Sequence, residues 1–140
     1  MKKDIISFAI VIIFCLPAFS QVKVPETVKT AFNERFPGAT NVKWDKENSK
    51  ELEANFRFNN TNVSANFGLD GSWVETETTI PADELPVPVK NAIDKLYPGA
   101  VFIQTEKLDK PDSKIFYEAH IKINGKKKEL VFNQDGSMVK

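Results

Sequence analysis

The sequence predicts an α+β fold: two tandem helix-plus-four-strand repeats form one antiparallel sheet of about eight strands, with both helices on one face. The first observation is a repetition, because residues 24–39, VPETVKTAFNERFPGA, recur 61 residues later as LPVPVKNAIDKLYPGA. The second is a set of runs in which apolar and polar residues alternate, as in strands with one buried face. The third is a series of Asn-Gly and Asp-Gly dipeptides, which favour hairpin turns.

The repetition extends beyond the helix. After a loop that is four residues longer in the second copy, matching residues lie 65 positions apart and end in the same Asp-Gly-Ser segment, at residues 70–72 and 135–137. We therefore predict that residues 21–140 are a single domain made of repeats 24–79 and 85–140. The proline-rich segment 80–88 is the predicted connector between them.

The first twenty residues have the features of a secretory signal peptide. Two lysines precede an apolar run, and Ala18-Phe19-Ser20 forms a small-x-small cleavage site. The run is shorter than the roughly 20 residues that a membrane-spanning helix needs, which argues against an anchor. Cys15 lacks the small neighbours that lipoprotein processing requires, so we assign it to the discarded segment. We expect cleavage near Ser20/Gln21 and a periplasmic or secreted location.

Cleavage there would leave a nearly neutral chain. It would remove the only cysteine, two of the 19 basic residues and one of the 19 acidic residues, giving a net charge of −1. Such a chain has no bulk attraction for nucleic acid or for an anionic membrane. We therefore expect no nucleic-acid partner and no membrane insertion after signal cleavage.

The first repeat is predicted to contain one helix and four strands. Val28, Ala31, Phe32 and Phe36 recur at helical spacing, and Pro37-Gly38 ends the pattern, which predicts a helix over Glu26–Arg35. Alternation predicts the strands that follow and is clearest in ELEANFRF, residues 51–58. The predicted strands are residues 41–45, 51–58, 62–67 and 72–78.

The second repeat follows the same plan. Its helix is predicted at residues 89–97 and its longer strands at residues 101–106, 115–123 and 128–132. Residues 107–114 are mostly polar and are predicted to form a loop. Only residues 137–140 follow the last Asp-Gly turn, so the eighth strand is expected to be short.

Several of these motifs together resemble the PepSY-like proteins of the periplasm. The motifs are a helix that ends in F-P-G-A or Y-P-G-A, a strand of alternating apolar and polar residues, and a D-G-S-W turn. Most of this set occurs twice after the predicted signal peptide. The fold of that family is similar to that of beta-lactamase inhibitory protein. The resemblance covers nearly all of the mature chain and implies a tandem helix-plus-four-strand module without known catalysis. Inhibition of beta-lactamase is not carried over, because no inhibitory contact residue can be matched here.

Residues for common catalytic and metal sites are scarce. His120 is the only histidine and no cysteine would remain after cleavage, which argues against Cys-His nucleophiles and against His or Cys metal clusters. A Ser-His-Asp triad stays formally open, although the sequence has no G-x-S-x-G motif. Each Asp-Gly-Ser segment supplies one carboxylate, fewer than a calcium loop requires, and is interpreted as a hairpin turn. We predict no catalytic residue, no metal site and no cofactor.

The side of the predicted sheet that lacks helices, here called the open face, is the candidate binding surface. It should carry polar strand residues together with aromatic residues that are out of phase with the core pattern. Trp73 lies in a weakly patterned strand, where a slip of one residue in register would bury it. The tentative binding residues are Asn55, Arg57, Trp73, Phe102, Phe116 and His120.

The leading hypothesis is a non-enzymatic secreted or periplasmic binding module. It would bind another envelope or extracellular protein, or act in an inhibitor-like manner, through the open face, because aromatic and arginine anchors in a polar surround are typical of protein interfaces. The alternative is a small-ligand or peptide carrier that uses a cleft between the repeats, which requires a concave pocket. An enzyme is the third hypothesis, and no motif in the sequence supports it.

Overall fold

The computed structural model describes residues 22–139, so the predicted signal peptide and its cleavage site lie outside the described residues. Within this range, seven strands form one antiparallel sheet in the order of the sequence, accompanied by two α-helices. The elements are α1 (Glu26–Arg35), β1 (Thr40–Lys46), β2 (Glu51–Phe58), β3 (Thr61–Gly68), β4 (Trp73–Thr79), α2 (Val87–Leu96), β5 (Val101–Lys110), β6 (Lys114–Ile123) and β7 (Lys126–Asn133).

The α+β fold with a single antiparallel sheet is confirmed, but the strand count is seven rather than about eight. After β7, the segment predicted as an eighth strand makes only an isolated bridge between Phe132 and Met138. Within residues 22–139, no helix has the length and apolar composition that crossing a membrane would require.

The first helix has its predicted bounds, whereas the second begins earlier than predicted. α2 starts at Val87, inside the segment that the sequence assigned to the connector. Pro86 precedes the helix and Pro88 lies in its first turn. The first backbone N–H groups of a helix have no intrahelical acceptor, so a proline there loses no hydrogen bond and does not delay the helix.

The predicted loop at residues 107–114 is wrong. β5 continues to Lys110 and β6 starts at Lys114, with only a short 3₁₀ turn at Pro111–Ser113 between them. Leu108, in the middle of this segment, pairs with Glu77 on one side and Phe116 on the other, and it is buried. Hydrogen bonds to two neighbouring strands stabilise this segment as a strand although its side-chain pattern is weak.

Both helices pack on the same face of the sheet. Partners across an antiparallel ladder share a face, and one row of partners runs from β3 to β7. That row consists of Val63, Thr78, Lys107, Tyr117 and Phe132. Val63 belongs to the core beneath α1 and Phe132 to the core beneath α2, so the two cores lie side by side on one sheet.

Each Asp-Gly-Ser turn packs against the start of a helix. In the first, Ser72 donates from both its backbone nitrogen and its Oγ to Asp70 Oδ1, over 2.9 and 2.6 Å. Ser137 makes the same two bonds to Asp135, at the same distances. These bonds occupy the Asp carboxylate within the turn, which agrees with the interpretation of both segments as structural turns.

The glycine of each turn is required by both its conformation and its surroundings. Gly71 has φ +89° and Gly136 has φ +84°, a region that other residues rarely adopt. A Cβ at Gly71 would lie 2.9 Å from the carbonyl oxygen of Thr27 in α1, and a Cβ at Gly136 would lie 2.5 Å from that of Pro88 in α2. The turn can therefore approach the helix backbone only with glycine at this position.

We predict that Gly136→Ala lowers the free energy of unfolding by about 3 kcal/mol, because it adds a backbone clash to the strain of a positive φ. The matched control is Gly99→Ala, at φ +79° with no atom within 4 Å of the new Cβ. This variant should be destabilised only by the strain of an alanine at positive φ, by about 1–2 kcal/mol. Urea denaturation of both variants measures the difference, and equal losses would contradict the proposed contact.

Candidate functional site

The register of the sheet determines which side chains lie on the open face, opposite the helices. Glu53 lies beside Asn66, which in turn lies beside Glu75. Glu106 lies directly opposite Glu118 on the neighbouring strand. Because successive side chains in a strand point to opposite faces, these residues lie on the face away from the two cores.

Six glutamates on the open face form what we call the acidic patch. They are Glu53, Glu75, Glu77, Glu106, Glu118 and Glu129. Glu106 and Glu118 are only 8% and 9% exposed. Carboxylates are rarely buried to this extent without a cationic partner, and like charges directly opposite one another destabilise a sheet. The patch is therefore electrostatically unfavourable for the fold.

His120 offsets part of this repulsion. Its Nε2 lies 2.6 Å from Glu118 Oε1 and 3.9 Å from Glu106 Oε2. Gln104 donates from Nε2 to the other oxygen of Glu106, Oε1, over 2.8 Å. Burial raises the pKa of the Glu118 carboxyl, and the negative charges of Glu129 and Glu106 raise it further, while His120 opposes the shift. Charge on this part of the face is thus only partly balanced.

The same three residues are the ones among residues 22–139 that could hold a metal ion as a group. One ligand atom each from Glu106, Glu118 and His120 lies within 4.8 Å of the others. A histidine nitrogen and carboxylate oxygens are suitable ligands for zinc. However, the 2.6 Å contact between His120 and Glu118 is a hydrogen bond, so these two atoms already satisfy each other. The cluster can be explained without an ion.

Glu77 shows the influence of the acidic patch most strongly. Burial raises the pKa of its carboxyl from the ordinary value of 4.5 to about 7, and the charges of Glu106, Glu75 and Glu118 add to the shift. Ser64 donates from Oγ to Glu77 Oε2 over 3.2 Å, which acts in the opposite direction. Glu77 therefore changes its charge close to neutral pH.

A hollow of about 670 Å³ lies on the open face over the acidic patch. Its apolar lining includes Leu108, Phe116 and Val131. Lys110 Nζ lies 2.5 Å from Glu75 Oε2 and 6.0 Å from the centre of the Phe116 ring. The acidic residues that line the hollow are Glu47, Glu53, Glu75, Glu77, Glu118 and Glu129. The hollow thus combines an apolar lining with several carboxylates.

Four of the six tentative binding residues lie on the open face. Phe116 lines the hollow, and His120 lies beside it in the cluster with Glu118. Asn55 is exposed and donates from Nδ2 to Glu53 Oε2 over 3.0 Å. Arg57 is exposed at the end of β2, where it donates to the side chain of Asn62 and to the backbone oxygen of Asn60. Their role in binding stays a prediction.

The placement of Trp73 and Phe102 on the open face is wrong. Trp73 packs against the core beneath α1, and its Nε1 donates to Thr76 Oγ1 over 2.9 Å. Phe102 pairs with the buried Ile121 and packs against the core beneath α2. In both cases the register shifts at an irregularity next to the residue, at Asn66/Phe67 and at Phe102/Gln104. A shift of one residue moves a side chain to the other face.

None of the six glutamates of the acidic patch was among the tentative binding residues. Glu75 and Glu77 alternate with Thr76 and Thr78, but Trp73, at the start of the same strand, lies on the other face because the register shifts next to it. Glu106 came at the predicted end of its strand and next to a predicted loop. The signal that could have found it is that Glu106 and Leu108 share one face of a strand that continues to Lys110.

A second concavity, of about 950 Å³, is lined by helix-face residues of the core beneath α1 and by residues of the turn between β5 and β6. The guanidinium carbon of Arg35 lies 3.4 Å from the centre of the Trp73 ring, and this stacked pair forms part of the lining. Other lining residues include Phe36, Phe58, Thr76, Thr78, Asp109 and Ile115. The carrier hypothesis predicts a concavity between the repeats, and this one is lined by residues of both predicted repeats.

Comparison with known proteins identifies relatives of this chain. Residues 52–140 match the family described as "Putative beta-lactamase-inhibitor-like, PepSY-like". The chain is similar in structure to a "putative periplasmic" protein of Bacteroides eggerthii, with a TM-score of 0.78, 20% sequence identity and coverage of 85% of this chain and 88% of that one. It is also similar to a BLIP-like protein of Bacteroides fragilis, with a TM-score of 0.72, 21% identity and coverage of 86% of each chain. No curated protein matches it.

We predict that Glu77→Gln stabilises the protein above pH 7 and not at pH 4.5. The pKa of Glu77 is about 7 in the folded protein and near 4.5 in the unfolded chain, so the folded state binds the Glu77 proton more tightly. Protonation of Glu77 therefore stabilises the folded state at low pH, and this stabilisation is lost as the pH rises from 4.5 through about 7. Glutamine resembles the protonated form and avoids the loss. The expected gain at pH 8 is about 1 kcal/mol, since solvent reaches part of the group.

Urea denaturation of wild type and Glu77→Gln at pH 4.5 and pH 8 measures this effect. Glu34→Gln, at an exposed position of α1, is the control for removing one carboxylate. It should change stability by less than about 0.5 kcal/mol at either pH. A Glu77→Gln variant with the same gain at both pH values would show that charge repulsion is not the cause.

Proposed function

This chain belongs to the beta-lactamase-inhibitor-like, PepSY-like family, and we propose that it is a non-enzymatic module that binds another envelope or extracellular protein through its open face. The observation that carries the proposal is the hollow on that face, which combines Phe116, Leu108 and Val131 with carboxylates. An apolar centre with polar groups around it is the usual composition of a protein interface. Both helices lie on the other side of the sheet and leave this surface accessible.

The chemistry of His120 supports a binding role over a catalytic one. Its ring nitrogen Nε2 lies 2.6 Å from the Glu118 carboxylate, and within residues 22–139 no hydrogen bond joins the ring to a serine or threonine hydroxyl that it could activate. The name of the Bacteroides fragilis neighbour refers to a beta-lactamase inhibitor, but at 21% identity the likeness concerns the fold alone. An inhibitor-like role of this chain is therefore a form of the same proposal, with the target unnamed.

The proposed location is the periplasm or the exterior, after cleavage near Ser20/Gln21. The N-terminal apolar run with its small-x-small site supports export. The structural neighbour in Bacteroides eggerthii carries a periplasmic description, which is consistent with this location. The proposed partner should accordingly be sought among envelope proteins.

We predict that a variant with Phe116→Ala and Asn55→Ala binds its partner at least about tenfold more weakly, because truncated interface anchors each lose roughly 1 kcal/mol or more. The measurement is capture of proteins from an envelope extract on immobilised residues 21–140, followed by titration of the captured protein. Both substitutions are on the open face and leave the net charge unchanged. Circular dichroism verifies that the variant is folded.

The matched control truncates the same two kinds of contact away from the open face. Val87→Ala and Asn91→Ala change an exposed apolar residue and an exposed asparagine of α2. The control should capture the partner as well as the wild type does. Equal capture by the open-face variant would move the binding site away from the open face and contradict the proposal.

The carrier hypothesis is retained as a second candidate because the helix-face cleft contains the stacked Arg35–Trp73 pair. An arginine beside an aromatic ring could bind the carboxylate of a small ligand or peptide. Native mass spectrometry of the protein purified from its envelope would detect such a ligand. Loss of the ligand in Arg35→Ala, and its retention in the open-face variant, would favour this candidate over the first.

A further inference from the structure

We propose that the hollow on the open face receives a lysine- or arginine-bearing segment of the partner protein, with apolar residues beside the cationic ones. This inference rests on the proposed function and names the chemistry of its partner. It is drawn from three properties of the hollow: its charge, its apolar lining and its size.

The charge of the hollow is strongly one-sided. Six glutamates line it, and the two lysines on its wall are Lys110 and Lys114. Lys110 is already engaged with Glu75 at 2.5 Å. The whole sequence has equal numbers of basic and acidic residues, so this excess is a local feature and not a reflection of an acidic protein. Complementary charge across an interface favours a cationic partner and disfavours an anionic one.

The carboxylates repel one another in the unbound protein, which a bound cation would relieve. Glu106 and Glu118 are directly opposed and more than nine-tenths buried. Their neighbour Glu77 has its pKa raised to about 7 in part by the charges of Glu106, Glu75 and Glu118. A lysine or arginine beside Glu75, Glu77 and Glu118, which line the hollow, would therefore bind partly by reducing this repulsion.

The apolar lining fits the rest of such a segment. Phe116 and Val131, both only partly buried, could contact the methylene chain of a lysine or arginine and its apolar neighbours. Lys110 Nζ lies 6.0 Å from the centre of the Phe116 ring, at the outer limit of a cation–π contact, so a cation beside this ring is already part of the hollow. Long side chains with a charged end and an apolar stem match this combination better than a simple inorganic cation would.

The size of the hollow also favours a side-chain-bearing segment. At about 670 Å³ it lies within the usual range of ligand sites and is far larger than a single ion needs. The glutamates that line it come from several strands and from the connection after β1, so they are distributed around the hollow. This arrangement suits several contacts along a peptide rather than one coordination centre.

The test begins with a phage-displayed library of random 12-residue peptides, panned at pH 8 against immobilised residues 21–140. We expect the enriched peptides to contain lysine or arginine next to apolar residues. A synthetic peptide of the most enriched sequence is then titrated by calorimetry. Its affinity should fall at least about tenfold when sodium chloride is raised from 50 to 300 mM, as expected for association that depends on several ion pairs.

Isosteric neutralisation of the hollow provides the decisive comparison. Glu53→Gln combined with Glu75→Gln should weaken the peptide at least about tenfold. The control, Glu26→Gln with Glu34→Gln, makes the same change in net charge at two exposed positions of α1 and should weaken it less than about twofold. Glu77→Gln, which we expect to be more stable than wild type at pH 8, is a second test that does not depend on the double variant being folded.

Each outcome decides the inference. Basic peptides that lose affinity in the hollow variants and keep it in the control support it. Enrichment of neutral or acidic peptides, no enrichment at all, or basic peptides that bind the hollow variants as well as wild type would overturn it. The proposed function is judged separately by Phe116→Ala with Asn55→Ala, which leaves the charge unchanged. If the partner no longer binds Phe116→Ala with Asn55→Ala but still binds Glu53→Gln with Glu75→Gln, the proposed function is supported. The inference that the partner is cationic is then contradicted.

Discussion

The hydrogen-bonded pairing of β4 with β5 is the interaction on which the rest of the architecture depends. It joins Thr76 to Asp109 and Thr79 to Glu106, and thereby makes one sheet of two groups of strands that each have their own helix and core. The junction is extended by Thr105, whose hydroxyl donates to the backbone oxygen of Ile80 over 2.6 Å and whose own carbonyl accepts from Ile80 N. Because cross-strand partners share a face, this pairing holds both helices on one side and leaves the other open.

The open face contains closely spaced carboxylates whose mutual repulsion is unfavourable for folding. Cross-strand carboxylates, two of them almost fully buried, are unfavourable for folding, and one histidine and one lysine balance them only in part. On the opposite face, by contrast, the cores contain aromatic and aliphatic side chains in close contact, such as Phe32 with Phe56 at 4.9 Å between ring centres. Unfavourable electrostatics of this kind are frequently associated with functional surfaces. The acidic patch is therefore the part of the surface where we propose that a partner binds.

Much of the fold could be predicted from the sequence because its determinants are local. The bounds of α1 follow from apolar spacing and from Pro37-Gly38, and the bounds of β2 from strict alternation. Both Asp-Gly-Ser turns follow from the residues themselves. The structure adds that each turn lies against the first turn of a helix, at Thr27 and at Pro88. Glycine is therefore required there by the close contact as well as by the positive φ. The division into tandem repeats stays a prediction from the sequence, with these matching contacts in its favour.

Local patterns were enough to predict the fold class, one helix in full, most strand positions and the presence of Phe116 and His120 on the open face, because periodicity records which side of an element is buried. The tertiary structure was needed to show where the register shifts, and hence that Trp73 and Phe102 lie on the helix face. It also decided that Leu108 belongs to a strand and that Glu106 lies opposite Glu118, since both depend on hydrogen bonds from neighbouring strands. The acidic patch is assembled from residues far apart in the chain, and register alone brings them together.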